Sequence, residues 1–185
     1  IRIYFVKTFY YGAHMFILRK KYFLIIENIK DIDLRNIKKR NKFIIIYRNI
    51  KKADRKVDLI RFRNSCKSKH IRFYVANDLR LAVSLRSDGI YISANNKNLK
   101  VLNLKKINYD IIGSAHNLSE INLKKKQGCH NVLLSRLFKV SYKPNMNFLD
   151  VIKFNNYTNK IFINITPLGG INLLNLNKLK IVRSE

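Results

Sequence analysis

Between Ile111 and Pro144 the chain places Ser114, His116, Ser141 and Lys143 just beyond two short apolar runs. Histidine titrates near neutrality and is suited to moving a proton, while a lysine ammonium pairs with phosphate as a point charge. The pattern predicts a strand over Asp110–Gly113 that delivers Ser114, His116 and Asn117 at its end. Asn117 and Glu120 are spaced as a capping box, which predicts a helix running to Gln127 and stopped by Gly128. The next run, Asn131–Ser135, is of the kind buried on both faces of a parallel sheet, and it opens into the loop that carries Ser141 and Lys143. Two neighbouring strands therefore aim hydroxyls, an imidazole and an ammonium at one rim.

Other residues stand at comparable places. Arg48 follows the run Phe43–Tyr47, and Asn77-Asp78 precedes the helical stretch Leu79–Leu85, where an N-cap alone would account for it. Gly169-Gly170 follows the run Ile161–Thr166; such a pair is a turn, or a place where main-chain N–H groups approach a phosphate closely.

The elements that must position these residues recur about every twenty residues, as βα units do. Strands are predicted at Tyr22–Glu27, Phe43–Tyr47, Ile71–Ala76, Gly89–Ile92, Asp110–Gly113, Asn131–Ser135 and Ile161–Thr166, with an eighth at Lys180–Arg183. Helices are predicted at Asp33–Lys39, Ala53–Lys67 (with Val57, Ile60 and Phe62 as its apolar positions), Leu79–Leu85, Leu118–Gln127, Phe148–Asn155 and Leu173–Lys178. Seven βα units and one more strand make a (β/α)8 TIM barrel that ends at or just after its eighth strand, with its site at the carboxyl ends of the strands. A doubly wound sheet is the runner-up, and no Gly-x-Gly-x-x-Gly follows the first strand to favour it.

The formal charge of +27, from 38 Lys and Arg against 11 Asp and Glu, suggests a nucleic-acid footprint. The basic residues are spread along the whole chain, however, Lys, Asn and Ile are over-used together as A/T-rich coding produces, and no RNA-binding signature appears, so nucleic acid is not the expected partner. Cys66 and Cys129 lie outside any metal-ligand spacing and fit a reducing cytoplasm. Arg2, Lys7 and His14 interrupt the apolar start, so neither a signal peptide nor a membrane span is expected there. Met15 and the chain end at Glu185 leave residues 1–20 as an extension of unassigned structure, possible as an upstream or fragment edge, and 21–185 as one barrel domain, open to homo-oligomer formation.

Gly113-Ser114-Ala115-His116 and Phe138 with Lys143-Pro144 resemble stretches of the thiamine phosphate synthase and TenI family. The likeness extends to Val75-Ala76-Asn77-Asp78, Asp88-Gly89-Ile90-Tyr91 and Pro167-Leu168-Gly169-Gly170-Ile171, in the family's order, from Lys21 onward. It implies condensation of a pyrimidine diphosphate with a thiazole phosphate in thiamine biosynthesis, with release of pyrophosphate and use of Mg2+. By the same resemblance Asp78 is a metal carboxylate, Asn77, Ser114, Ser141 and Lys143 receive pyrophosphate, Arg48 supports the pyrimidine substrate, and Gly169 and Gly170 bind the thiazole phosphate. The chain departs from the family where Asn96 replaces the second metal carboxylate, Tyr91 replaces a histidine, and Val140 and Tyr142 replace threonines; Lys51 stands one place late after Arg48, and the phosphate loop after an eighth strand is missing. In the tautomerase branch His116 resembles the acid/base, which makes a metal-independent thiazole tautomerase the alternative reading, and a degenerate barrel that binds nucleic acid or regulates is another.

Overall fold

The computed structural model describes residues 2–10, 17–37, 40–48, 54–107, 109–140, 145–159 and 161–183. Eight strands form one sheet in chain order: β1 (Arg2–Tyr10), β2 (Ile17–Ile26), β3 (Phe43–Tyr47), β4 (Arg72–Ala76), β5 (Gly89–Ile92), β6 (Asp110–Ala115), β7 (Asn131–Ser135) and β8 (Asn164–Leu168). β1 and β2 are an antiparallel hairpin, Arg2 facing Ile25 and Tyr10 facing Ile17, and every pair from β2 to β8 is parallel. The seven parallel strands make a half-barrel of the TIM type. β1 approaches β8 in space, and no hydrogen-bonded ladder joins β8 to β1 among the described residues. The strictly sequential order rules out the doubly wound alternative, in which the order reverses.

The centres of the parallel strands are apolar because both faces are covered. Inner positions alternate with outer ones. Phe23, Ile44, Ile46, Tyr74, Ala76, Tyr91, Ile112, Leu133 and Leu168 fill the inner face. Leu24, Ile45, Tyr47, Phe73, Val75, Ile90, Ile111, Val132 and Ile165 face the helical layer. That layer holds α1 (Lys56–Ser68), α2 (Leu79–Ser84), α3 (Leu118–Lys126) and α4 (Asp150–Thr158).

Four expectations are corrected. Residues 180–183 are not a strand: a 3-10 helix runs Leu173–Ile181, and the following residues are held by a side chain in place of a ladder. Asn155 Nδ2 donates to the Ile181 carbonyl at 2.9 Å and Asn155 Oδ1 accepts the Arg183 N–H at 2.8 Å. Leu173–Lys178 is accordingly 3-10 and not α-helical. Of the helix expected over Asp33–Lys39, residues 38–39 lie outside the described residues, and the rest makes a 3-10 turn, Leu34–Asn36, because the Asp33 carboxylate takes the Arg35 N–H two residues on and offers the backbone a tighter turn. Finally, α1 buries Leu59, Arg63 and Cys66, while Val57 and Ile60 face solvent. Arg63 occupies an apolar-type position because Asp88 neutralises it at 2.9 Å and the Arg86 carbonyl accepts its Nε–H at 3.1 Å. Residues 2–10, left unassigned from the sequence, are a strand, and β2 begins earlier than the expected Tyr22 because it has that strand to pair with.

Candidate active site

The carboxyl ends of β3, β4, β5, β6 and β8 bring most of the expected polar residues to one rim. Arg48 directly follows β3, with the same parity as the inner Ile44 and Ile46, and is half-buried. Asn77 follows β4 in the left-handed region, φ 61°, which asparagine tolerates better than most residues. Its N–H donates to the Tyr91 carbonyl at 2.8 Å. Its side-chain oxygen accepts from the Ser93 N–H at 2.9 Å, the Ser93 hydroxyl at 3.2 Å and Asn96 Nδ2 at 3.0 Å. Asn77 thus ties the loop after β4 to the loop after β5.

Ser114 lies within β6, on its inner face, and is buried. The Tyr91 hydroxyl donates to Ser114 Oγ at 2.8 Å, which fixes the orientation of the serine within the barrel. His116, two residues on, is exposed, and its Nδ1 lies 3.0 Å from Glu120 Oε2. The capping at this helix start differs in detail from the expected box. Asn117 Oδ1 accepts the Glu120 N–H at 2.9 Å, but Glu120 reaches back to the His116 N–H at 2.7 Å, one residue before the cap. Burial raises the Glu120 pKa, yet the hydrogen bonds from His116 outweigh it and hold the carboxyl below its usual value.

At the end of β8, Gly169 and Gly170 have φ of 92° and 71°. A Cβ on Gly170 would overlap the carbonyl oxygens of Phe138 and Lys139, so the chain can pass there only as glycine. Phe138 N–H donates to the Gly169 carbonyl at 3.0 Å, joining this turn to the segment after β7. Ser141 and Lys143 lie outside the described residues.

Asp78 caps α2, its Oδ1 accepting the Leu81 N–H at 2.9 Å. Mg2+ requires several oxygen ligands in near-octahedral array. Asn96 cannot present its oxygen to Asp78's loop, because its Nδ2 faces Asn77 while its Oδ1 accepts the Asn98 N–H at 2.9 Å. Among the described residues no three His, Cys, Asp or Glu converge. The donor set therefore does not fit a protein-built magnesium site.

Behind Asn96 stands a residue that sequence patterning missed. Lys124 of α3, one of three successive lysines, is fully buried. Its ammonium donates to the Asn96 carbonyl at 2.8 Å and to Gln127 Oε1 at 2.9 Å, and Gln127 Nε2 donates to the carbonyls of Asn96 and Asn98 at 2.9 and 3.0 Å. Burial pushes the Lys124 pKa down. The absent Cβ of Gly113 makes room for the Lys124 stem.

The opposite end of the sheet carries a separate polar cluster. Asp110 accepts from His130 Nδ1 at 2.8 Å, from Arg72 at 3.2 Å and from the Tyr74 hydroxyl. It lines a cavity of about 550 Å3 with Arg72, Asp88 and His130, at the amino ends of the strands, away from the candidate site. Burial raises the Asp110 pKa, but the His130 and Tyr74 hydrogen bonds prevail and lower it.

The sequence model of the family described as thiamine monophosphate synthase matches residues 11–182. The chain is 30% identical over 124 residues to the thiamine-phosphate synthase of Prochlorococcus marinus subsp. pastoris, a match over 66% of this chain and 35% of that protein. It is 22% identical over 134 residues to the thiamine-phosphate synthase of Fusobacterium nucleatum, covering 72% of this chain and 65% of that protein. The chain thus spans about a third of the length of its Prochlorococcus relative. In fold it is similar to thiamine phosphate pyrophosphorylase from Pyrococcus furiosus, with a TM-score of 0.65 at 17% identity over 86% of this chain and 80% of that one. No helix among the described residues is long and apolar enough to cross a membrane.

Proposed function

The chain belongs to the thiamine monophosphate synthase family, and on that premise we propose that it serves thiamine biosynthesis as a transferase joining hydroxymethylpyrimidine diphosphate to thiazole phosphate. In this reaction the thiazole nitrogen forms a bond to the pyrimidine methylene carbon. The bond from that carbon to the diphosphate oxygen breaks, and its electron pair leaves with pyrophosphate. The observation that carries the reading is the convergence of Arg48, Asn77, Ser114 and Gly169-Gly170 at the carboxyl ends of four strands of one sheet.

Each residue has a role set by its surroundings. Ser114, oriented by Tyr91, offers its hydroxyl proton to a pyrophosphate oxygen. Asn77 has its oxygen engaged within the loops, so its Nδ2 is the group that faces a diphosphate. Arg48 supplies a fixed positive charge against the diphosphate-bearing substrate. Gly170, which must be glycine to pass the Phe138 and Lys139 carbonyls, shapes the turn whose backbone N–H groups receive the thiazole phosphate in this proposal. Ser141 and Lys143 complete the pyrophosphate donors in this proposal.

A second reading rests on one contact. The Glu120 carboxylate holds His116 Nδ1, which orients the ring and leaves Nε2 as the exchangeable position of a thiazole tautomerase. The two are separated by supplying both substrate sets to the protein. Thiamine phosphate formation that falls with Ser114→Ala and Arg48→Ala supports the synthase. Thiazole isomerisation that persists in chelator and is lost in His116→Ala replaces it with the tautomerase, and a folded protein that performs neither reaction refutes both.

A further inference from the structure

We propose that an amide clamp, Asn77–Ser93–Asn96, joins the loops after β4 and β5 in place of a shared divalent cation, so that without substrate the protein takes no Mg2+ or Mn2+ at Asp78. The inference deepens the synthase reading and rests on it for the identity of the site.

Three observations point the same way. Asn77 Oδ1, the oxygen nearest the junction of the two loops, already accepts three hydrogen bonds, from the Ser93 N–H and hydroxyl and from Asn96. A carbonyl-type oxygen has two lone pairs, so that oxygen is saturated. The Asn96 amide turns its N–H toward Asn77 and its oxygen toward the Asn98 N–H, and an N–H donor repels a cation where an oxygen would bind it. On the far side of Asn96, the buried Lys124 ammonium occupies the backbone carbonyl, and Gln127 shares that carbonyl while also holding Asn98. The junction is thus framed by N–H groups, with the Lys124 ammonium held behind it, and Asp78 is the one carboxylate that follows Asn77 in the loop after β4. Asp78 itself spends an oxygen on the α2 cap. A cation placed there would have to dehydrate for one carboxylate while facing a positive charge, which Mg2+ resists.

The clamp also accounts for how the two loops are held to one another. Asn77 sits at φ 61°, a conformation asparagine accepts, and from that backbone its side chain reaches across to Ser93. The position that ties the loops is therefore sequence-encoded in the amide pair.

The test is a titration of Mn2+ into the substrate-free protein, read by the loss of the free-ion electron paramagnetic resonance signal. The wild type should leave that signal unchanged. Asn96→Asp, which turns the donor facing Asn77 into a second carboxylate at the junction with Asp78's loop, should bind one Mn2+ about tenfold or more tightly than the wild type. Circular dichroism establishes folding of the variant. Should Asn96→Asp not fold, Asn77→Asp is read in the same way, since its carboxylate can still accept the same three donors. One equivalent of Mn2+ bound by the wild type and lost in Asp78→Asn overturns the proposal, as does a folded carboxylate variant that binds no more tightly than the wild type. Product formation is measured separately. An active wild type that binds the ion at Asp78 refutes the clamp and keeps the synthase, whereas an inactive one that ignores the ion refutes the synthase and keeps the clamp.

Discussion

Gly113→Ala tests the packing that lets Lys124 reach Asn96. A Cβ at this position would lie 2.8 Å from Lys124 Cδ, 3.1 Å from Lys124 Cγ and 2.9 Å from Cys129 Sγ. Gly113 does not have a positive φ, so the backbone accepts alanine and the cost is one of space. Both neighbours are buried, Lys124 at 0% and Cys129 at 5% exposure, so neither can swing into solvent. Overpacking of this kind costs about 1–3 kcal/mol. Relief from glycine's backbone entropy returns about 0.5–1 kcal/mol. The net destabilisation expected is about 0–2.5 kcal/mol. For a chain of this size that lowers the melting temperature by up to about 10 °C. The assay is urea unfolding of the wild type, Gly113→Ala, Lys124→Ala and the double variant, followed by circular dichroism. Lys124→Ala removes Cγ and Cδ, so the alanine methyl at 113 then meets only the Cys129 Sγ clash and gains space on the other side. The double variant should be more stable than the sum of the singles by about 1 kcal/mol. Additivity within about 0.5 kcal/mol would refute the contact as the cause.

Two further outcomes follow from the geometry. Gly170→Ala should lose more stability, and on the synthase reading raise the KM for thiazole phosphate more, than Gly169→Ala, because a Cβ at 170 would overlap two backbone carbonyls while one at 169 meets Arg136 Cγ, Cβ and Cα at 3.0, 3.2 and 3.3 Å; thermal melts and steady-state kinetics of both variants check the order, and equal effects would refute it. The Asp110 pKa is depressed in the fold below 3.8, so the Asp110 carboxylate contributes stability above its unfolded value and that contribution is lost as pH falls through the folded value. Unfolding curves from neutral pH down to below 3.8 should therefore fall more steeply for the wild type than for Asp110→Asn, and parallel curves would count against the His130 and Tyr74 contacts.

The parallel strands were legible because runs such as Phe43–Tyr47 and Asn131–Ser135 are apolar on both faces, a pattern that parallel sheets require. The first hairpin was not, since Arg2 and Lys7 break the apolar character of the N-terminal strand and its pairing with β2 shows only in three dimensions. Arg63 hid the true face of α1, as its partner Asp88 lies 25 residues away. Residues 180–183 read as a strand by hydropathy alone, yet Asn155 meets their backbone with both ends of its amide. Within the candidate site, Ser114 and Asn77 could be singled out by position, but the contacts that set their chemistry span 23 and 19 residues, to Tyr91 and Asn96. Linear spacing does not encode such register. Lys124 was invisible for a similar reason: in Lys124-Lys125-Lys126 the residue type suggests solvent, and only the void at Gly113 shows which of the three turns inward.

The sequential strand order bears on how the chain acquires its structure during synthesis. Each parallel strand pairs with the one made just before it, so the sheet can lengthen at its growing edge as residues leave the ribosome, without waiting for a distant segment. Closing the crossover between successive strands costs less entropy than joining strands far apart in the chain. The Asn77 to Asn96 junction can form once β5 has emerged, well before β8 and the Gly169-Gly170 turn exist. The loops after β4 and β5 are in this sense joined early, and the Gly169-Gly170 turn is added last.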